Sequence, residues 1–292
     1  MIRHFRNVFS KLAQSWLLAT ALQNDQDVLR HQLPEVRYVD GTPLSQASCF
    51  VPHQRGLDSY EPVLIGPSTL SDVLSGPELL KDVIAILALL EPDDYLRYTM
   101  SYYREGLERF GDRWRYADIT TALLGLSRLL KPESYLEIGV RRGRSLAIVA
   151  AVCPECSMLG FDLWIENYAG MPNPGPEFVQ QEMSKVGHLG KLELIRGNSH
   201  ETVKQYFREH PDAYFDLITV DGDHSLLGAA EDLADALPRL KIGGAVVFDD
   251  IVHPKHRYLY DLWQHFTGAG GRFTTWEFVE LGYGVAVGIR KF

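Results

Sequence analysis

Short apolar runs alternate with amphipathic stretches from residue 131 to the end of the chain. This texture is typical of parallel strands that are buried on both faces and joined by helices. We predict five parallel strands at the apolar runs 134–138, 157–161, 192–196, 215–220 and 245–248.

Two further apolar runs, at 272–280 and 285–291, are separated by the glycine-containing stretch 281–284. A connection this short joins antiparallel neighbours, so these runs predict a hairpin at the end of the sheet. The fold expected for 131–292 is therefore α/β: a doubly wound, mostly parallel, seven-stranded Rossmann-like sheet with a C-terminal antiparallel hairpin.

The first 130 residues follow a different pattern. Apolar residues recur at helical spacing from about 77 to 130, and a shorter amphipathic pattern covers 2–16. Between them, 31–75 is rich in Pro, Gly, Ser and Asp, which predicts an irregular segment. We therefore expect two parts, a mainly helical N-terminal extension or cap at 1–130 and an α/β domain at 131–292.

Charge and composition exclude several classes of function. The chain has 38 acidic and 29 basic residues, a formal net charge of -9, so it lacks the positive field that non-specific nucleic-acid binding needs. It contains no apolar run of the length that a membrane span requires. Its three cysteines are too few for a disulfide framework and favour a reducing compartment, so we expect a cytoplasmic protein.

The first predicted strand runs directly into a glycine turn and then a helix. Such a turn lets backbone N–H groups approach a ligand at the carboxyl edge of the sheet. The dinucleotide fingerprint G-x-G-x-x-G does not fit, because placing its second glycine on Gly139 leaves Glu137 and Arg142 at the other two positions. A nucleotide-type pocket that does not bind NAD is therefore expected.

Carboxylates and histidines follow the fourth and fifth strands. Asp221, Asp249 and Asp250 should converge at the same edge of the sheet, where their oxygens suit Mg²⁺ or another hard divalent cation. His224 and His253 are candidate general bases, because the pKa of an imidazole lies near neutral pH. Structural interpretations stay open: the aspartate pair could begin a helix, and either histidine could merely support a carboxylate.

The pattern Glu137-x-Gly139-x-x-x-Gly143 resembles motif I of the class I S-adenosylmethionine-dependent methyltransferases. Asp162 ends the second strand, 23 residues after Gly139, where an acid can bind both ribose hydroxyls. The resemblance implies that the cofactor contacts the ends of the first three strands, at Glu137, Gly139, Gly143, Ser145, Asp162, Asn198 and Ser199. Each of these residues also has a purely local explanation, as a tight-turn glycine or a capping side chain.

The elements Asp221-Gly-Asp and Asp249-Asp250 resemble a metal-dependent O-methyltransferase branch that includes macrocin-type sugar O-methyltransferases and relatives of the cephalosporin hydroxylase protein. This likeness covers about 130–292. It implies methyl transfer to a small-molecule hydroxyl, such as a sugar on a natural product, with Mg²⁺ or a similar ion held by Asp221, Asp249 and Asp250. Asp221, His224 or His253 would then remove the proton.

Two alternatives remain open at this point. One is a metal-independent methyltransferase in which His224 acts alone, and the other is a non-catalytic cofactor-binding or assembly protein. The expected partners are a small-molecule hydroxyl acceptor and a second copy of the chain bound through the N-terminal extension, with neither nucleic acid nor membrane.

Overall fold

The computed structural model of the chain describes residues 38–39, 42–43 and 67–291. The amphipathic pattern at 2–16 lies outside these residues. The strands of the described part are β1 (Tyr38–Val39), β2 (Thr42–Pro43), β3 (Ser134–Ile138), β4 (Ser157–Asp162), β5 (Leu192–Arg196), β6 (Phe215–Val220), β7 (Leu240–Asp249), β8 (Phe273–Phe278) and β9 (Val285–Arg290). Its α-helices are α1 (Pro67–Leu74), α2 (Pro77–Leu87), α3 (Asp94–Phe110), α4 (Ile119–Leu130), α5 (Arg144–Val152), α6 (Pro176–Lys185), α7 (Ser199–Glu209), α8 (Leu226–Ala236) and α9 (Tyr258–Gly268).

The main sheet has seven strands in the order β5-β4-β3-β6-β7-β9-β8. Strands β3 to β7 run parallel, whereas β9 is antiparallel to both β7 and β8. The predicted doubly wound sheet with a terminal hairpin is confirmed. Strand β7 begins earlier than predicted, because Leu240 already pairs with Phe215 before the register shifts at a bulge.

Helices cover both faces of this sheet, as a parallel sheet requires. Along β3, Tyr135 packs into a core layer with α1 to α6, whereas Leu136 and Ile138 pack into a second layer with α7, α8 and α9. The alternation follows from the two-residue period of a strand. Because helices cover both faces of the sheet, ligands can bind at the edge formed by the carboxyl ends of the strands.

The helices α1 to α4 belong to the predicted extension and share the first core layer with the sheet. The prediction of an irregular segment is wrong for 67–74, which forms α1. Pro67 is compatible with a first helical turn, and Leu70 and Leu74 are buried at 2% and 0% exposure, so tertiary packing stabilises this short helix. The boundary near residue 130 stays a prediction.

Among the residues that the structure describes, no helix is both long enough and apolar enough to span a membrane.

Candidate active site

A cavity of about 540 Å³ opens at the carboxyl edge of the sheet, where β3 and β6 lie side by side. From β3 the chain winds towards β4 and β5 on one side, and from β6 towards β7 on the other, which creates a crevice at this point. The N–H of Asp221 donates to the carbonyl of Ile138 over 2.8 Å and joins the two strand ends. Residues 139–142, α3 and the turn 281–284 contribute walls.

The glycine turn after β3 needs glycine for steric reasons. Gly139 has a φ of +98°, and a Cβ there would lie 1.9 Å from the carbonyl oxygen of Asp221. Gly143 has a φ of +75°, and a Cβ there would lie 2.7 Å from Val179 on α6. The turn therefore packs directly on β6 and α6 and brings its backbone to the cavity.

Glu137 lies beneath this turn, fully buried. Its carboxyl group accepts hydrogen bonds from the Tyr135 hydroxyl over 2.7 Å and from the Ser145 hydroxyl. Burial raises its pKa to about 8. Ser145 also lines the cavity, whereas Glu137 does not. The predicted contact between Glu137 and the cofactor stays a prediction, and the carboxyl group bonds here to Tyr135 on β3 and to Ser145 on α5.

Asp162, at the end of β4, stands beside the same turn. One of its oxygens accepts the Arg141 N–H over 2.7 Å and the other accepts the Trp164 N–H over 2.5 Å. The Trp164 indole N–H in turn donates to the Arg141 carbonyl over 2.8 Å. Each carboxylate oxygen keeps further acceptor capacity, so a ribose contact stays a chemically sound prediction.

Asn198 and Ser199 follow β5, the next strand along the edge. The Asn198 side chain caps α7 by accepting the His200 N–H over 3.2 Å, and the Ser199 side chain bonds to Asp232 on α8. Neither residue lines the cavity. Their adenine contacts stay predictions, and the capping explanation accounts for their present bonds.

Three side chains gather at the ends of β6 and β7: Asp221, His224 and Asp250 offer ligand atoms that all lie within 4.8 Å of one another. His224 Nε2 lies 3.1 Å from Asp221 Oδ1, and His224 Nδ1 lies 3.6 Å from Asp250 Oδ2. Asp249 lines the cavity but is not a member of this group. Metal binding by Asp221, Asp249 and Asp250 stays a prediction; of these three, Asp221 and Asp250 belong to the group, because successive side chains at a strand end diverge.

Negative charge is concentrated at this group. Burial, and then the charges of Asp221 and Asp250, raise the pKa of Asp249 well above its usual range. Burial and the charge of Asp221 likewise raise the pKa of Asp250 to about 6. Burial lowers the pKa of His224, but its hydrogen bond to Asp221 and the neighbouring carboxylates outweigh this and leave it raised. The oxygens of Asp221 and Asp250 fit a divalent cation, which would offset this repulsion, and the His224 imidazole beside them can accept a proton.

His253 lies apart from the three. Its Nδ1 accepts the Lys255 N–H over 3.1 Å, and its ring packs on Tyr283 at 4.3 Å between centroids. The backbone N–H of His253 donates to the carbonyl of Asp250 over 3.0 Å, but its ring is bonded to Lys255 and packed on Tyr283 and so is directed away from the carboxylates of Asp221 and Asp250. The alternative in which the aspartate pair begins a helix is wrong, because the next α-helix starts only at Tyr258. Asp250 instead adopts a left-handed φ of +59°, which sets the direction of its side chain.

Asp223 caps the turn that follows. Its oxygens accept the N–H of Ser225 over 2.8 Å and the Ser225 hydroxyl over 2.9 Å. The Tyr258 hydroxyl donates to the carbonyl of His224 over 2.7 Å. The loop that carries His224 is thereby held at both ends.

An aromatic wall from α3 was missed at the sequence level. Tyr95, Tyr98 and Tyr102 line the cavity from one face of this helix, and Tyr283 lines it from the β8–β9 turn. The signal was present in the spacing i, i+3, i+7, which places three side chains on one helix face. We define these four residues as the tyrosine wall. Tyr116, beside it, also lines the cavity.

A buried ion-pair cluster joins α3 to the glycine turn. Asp93 caps α3 by accepting the Leu96 N–H over 2.7 Å, and its oxygens lie 3.3 Å from Arg142 Nε and 2.5 Å from an Arg144 guanidinium nitrogen. Its side chain is 10% exposed. Asp93 therefore fixes the position of α3 relative to the glycine turn.

Part of the chain is similar in sequence to a known family. Residues 136–251 match the sequence model of a family described as a methyltransferase domain. A search of curated proteins finds no match.

Solved structures show the same architecture. A Klebsiella pneumoniae protein described as an O-methyltransferase is 20% identical with a TM-score of 0.50, over 77% of this chain and 99% of that protein. TomG of Streptomyces achromogenes, an O-methyltransferase involved in tomaymycin synthesis, is 20% identical with a TM-score of 0.49, over 70% of this chain and 92% of TomG. The calicheamicin methyltransferase CalS11 is 19% identical with a TM-score of 0.49, over 80% of this chain and 99% of CalS11. At 20% identity and a TM-score of 0.50, the likeness to the Klebsiella pneumoniae protein concerns the fold alone.

Proposed function

We propose that the protein transfers the methyl group of S-adenosylmethionine to a hydroxyl oxygen of a small molecule, assisted by a divalent cation; the match of residues 136–251 to a methyltransferase-domain family supports this. The observation that carries the proposal is the group Asp221, His224 and Asp250, of which Asp221 and Asp250 line the β3–β6 cavity together with Gly139 of the glycine turn. This supports a cofactor bound at the turn with a proton-accepting group close by.

The chemistry follows from the residues present. When bound, S-adenosylmethionine supplies an electrophilic methyl group, and a divalent cation held by Asp221 and Asp250 would lower the pKa of an acceptor hydroxyl. The acceptor oxygen forms the new bond to the methyl carbon while the carbon–sulfur bond breaks. The electron pair of the broken bond stays on sulfur, which leaves as a neutral thioether. The hydroxyl proton must leave the oxygen in the same step.

His224 is suited to take that proton. A carboxylate only accepts hydrogen bonds, so the 3.1 Å contact with Asp221 fixes the His224 proton on Nε2 and leaves the Nδ1 lone pair available. Asp221 also stabilises the imidazolium that forms, and this favours proton removal. The roles are therefore divided, with His224 as base and Asp221 as the residue that orients it.

A metal titration tests the proposal. The protein is stripped with EDTA, and Mn²⁺ and S-adenosylhomocysteine binding are then measured by calorimetry for the wild type and for Asp221→Asn. We expect one Mn²⁺ per chain, lost in the variant, and S-adenosylhomocysteine binding in both. Lys81→Gln, at an exposed ion pair outside the cavity, is the control and should leave both unchanged.

A metal-independent methyltransferase is the second candidate, favoured by the placement of both His224 ring nitrogens towards carboxylates. It predicts that S-adenosylhomocysteine binds, that Mn²⁺ does not, and that His224→Asn abolishes transfer. Absence of S-adenosylhomocysteine binding would refute both candidates.

A further inference from the structure

The acceptor end of the cavity is aromatic. Tyr95, Tyr98 and Tyr102 project from one face of α3, and Tyr283 contributes from the β8–β9 turn. Tyr95, Tyr98 and Tyr283 are 47%, 69% and 53% exposed, which is unusual for rings of this size. Such a concentration of accessible rings around a concave surface marks a ligand-binding site.

The hydroxyl groups of the tyrosine wall are available to a ligand. The hydroxyl of the neighbouring Tyr103 donates to Asp118. In contrast, none of the four hydroxyls of the tyrosine wall has a hydrogen-bond partner within 38–39, 42–43 and 67–291. The tyrosine wall therefore offers a ligand both accessible ring faces and hydroxyl groups without a hydrogen-bond partner among the described residues.

The other polar groups around α3 are already engaged. Asp118 accepts from the Thr120 and Thr121 N–H groups and from Tyr103. The hydroxyl of Thr120 donates to Asp118 over 2.7 Å, and the hydroxyl of Thr99 donates to a backbone carbonyl over 2.9 Å.

Two of the arginines that line the cavity are engaged as well. Arg142 and Arg144 pair with Asp93, and Arg144 also lies over the Tyr95 ring at 5.0 Å. A polyol such as a sugar needs many hydrogen-bond partners when it leaves water, and each unmade bond weakens binding. The polar groups of the tyrosine wall are its four hydroxyls, and the rest of its surface is aromatic ring.

We propose that the acceptor is an uncharged aromatic hydroxy compound whose ring packs against the tyrosine wall, with Tyr98 as a specificity-determining residue. This inference rests on the proposed function and names its substrate class. Aromatic rings gain from offset or edge contacts with tyrosine, whereas the acidic side chains Asp221, Asp249 and Asp250 in the same cavity disfavour an anionic acceptor. It departs from the sugar acceptor that the sequence resemblance implies.

The test uses 2-naphthol, a flat, uncharged and fluorescent aromatic alcohol. Its fluorescence anisotropy is titrated with protein saturated with S-adenosylhomocysteine, in EDTA so that metal chelation plays no part. Methyl α-D-glucopyranoside is the competing polyol. We expect 2-naphthol to bind at least tenfold more tightly than the glucoside.

Tyr98 is the residue to vary, because its exposed ring makes no packing contribution to the core. Tyr98→Ala should weaken 2-naphthol binding about three- to tenfold, as loss of one aromatic contact predicts. Tyr98→Phe should retain most of the affinity, because the ring face remains. Tyr260→Ala, an exposed tyrosine on α9 that does not line the cavity, is the matched control and should change nothing.

Three results would overturn the inference: equal or tighter binding of the glucoside, no binding of 2-naphthol, or the same 2-naphthol affinity in Tyr98→Ala as in the wild type. S-adenosylhomocysteine binding is measured first for every variant. If it binds and 2-naphthol does not, the acceptor class is refuted and the methyltransferase proposal stands. If it does not bind, both are refuted.

Discussion

Replacing Gly139 by alanine tests the link between the glycine turn and β6. The added methyl group would lie 1.9 Å from the carbonyl oxygen of Asp221, and the backbone has a φ of +98°. A left-handed conformation costs a residue with a Cβ roughly 1–2 kcal/mol, and overpacking a close contact costs roughly 1–3 kcal/mol. The free energy of unfolding should therefore fall by about 2–5 kcal/mol.

Urea unfolding and calorimetry measure the two expected effects. Since relief of the contact must move the turn or the end of β6, S-adenosylhomocysteine affinity should fall at least tenfold. Gly187→Ala is the matched control: its φ is +79°, and no atom lies within 4 Å of the added methyl, so it carries the conformational cost alone. Equal losses of stability in the two variants, or wild-type affinity in Gly139→Ala, would refute the steric argument.

Three further predictions concern buried charge. Asp93→Asn keeps the helix cap but leaves Arg142 and Arg144 without their carboxylate partner, so the free energy of unfolding should fall by about 3 kcal/mol. The exposed Asp94→Asn is the control and should lower it by less than about 0.5 kcal/mol. The pKa of Glu137 in the folded protein, about 8, exceeds its ordinary value, so the free energy of unfolding of the wild type should fall by about 1 kcal/mol per pH unit as pH rises from about 4.5 to 8. Glu137→Gln should flatten this slope in urea unfolding. An unchanged slope would contradict the raised pKa of Glu137. His224→Asn should lower the rate of S-adenosylhomocysteine formation with 2-naphthol about 10²–10⁴-fold without weakening cofactor binding. The wild-type rate should rise with pH through a pKa above the ordinary imidazole value, and Asp221→Asn should lower that pKa.

The sheet could be predicted well from the sequence, and the reason is periodicity. Strands β3, β5 and β6 have the predicted bounds, because each is a short apolar run between polar segments. Helix α1 was missed because its two buried leucines are too few to form a pattern, and its stability comes from packing. The early start of β7 was missed because paired glycines are typical of turns and a bulge is a feature of pairing.

The candidate site was predicted in part. Asp221, His224 and Asp250 were all chosen from the sequence, since each follows a predicted strand. Which of the neighbouring aspartates joins the group depended on the left-handed backbone at Asp250, which the residue types do not specify. Three of the tyrosines in the tyrosine wall lie on a helix more than a hundred residues away from this group along the chain, so no local motif could connect them to it.

The sequence by itself determined the order of strands and helices, the glycine turn and the presence of acids at successive strand ends, because these depend on patterns within a few residues. Only the tertiary structure decided that Glu137 faces inward, that His224 rather than Asp249 joins the carboxylate pair, and that α3 presents tyrosines to the cavity. These features arise from contacts between distant segments, where direction and burial decide which side chains meet.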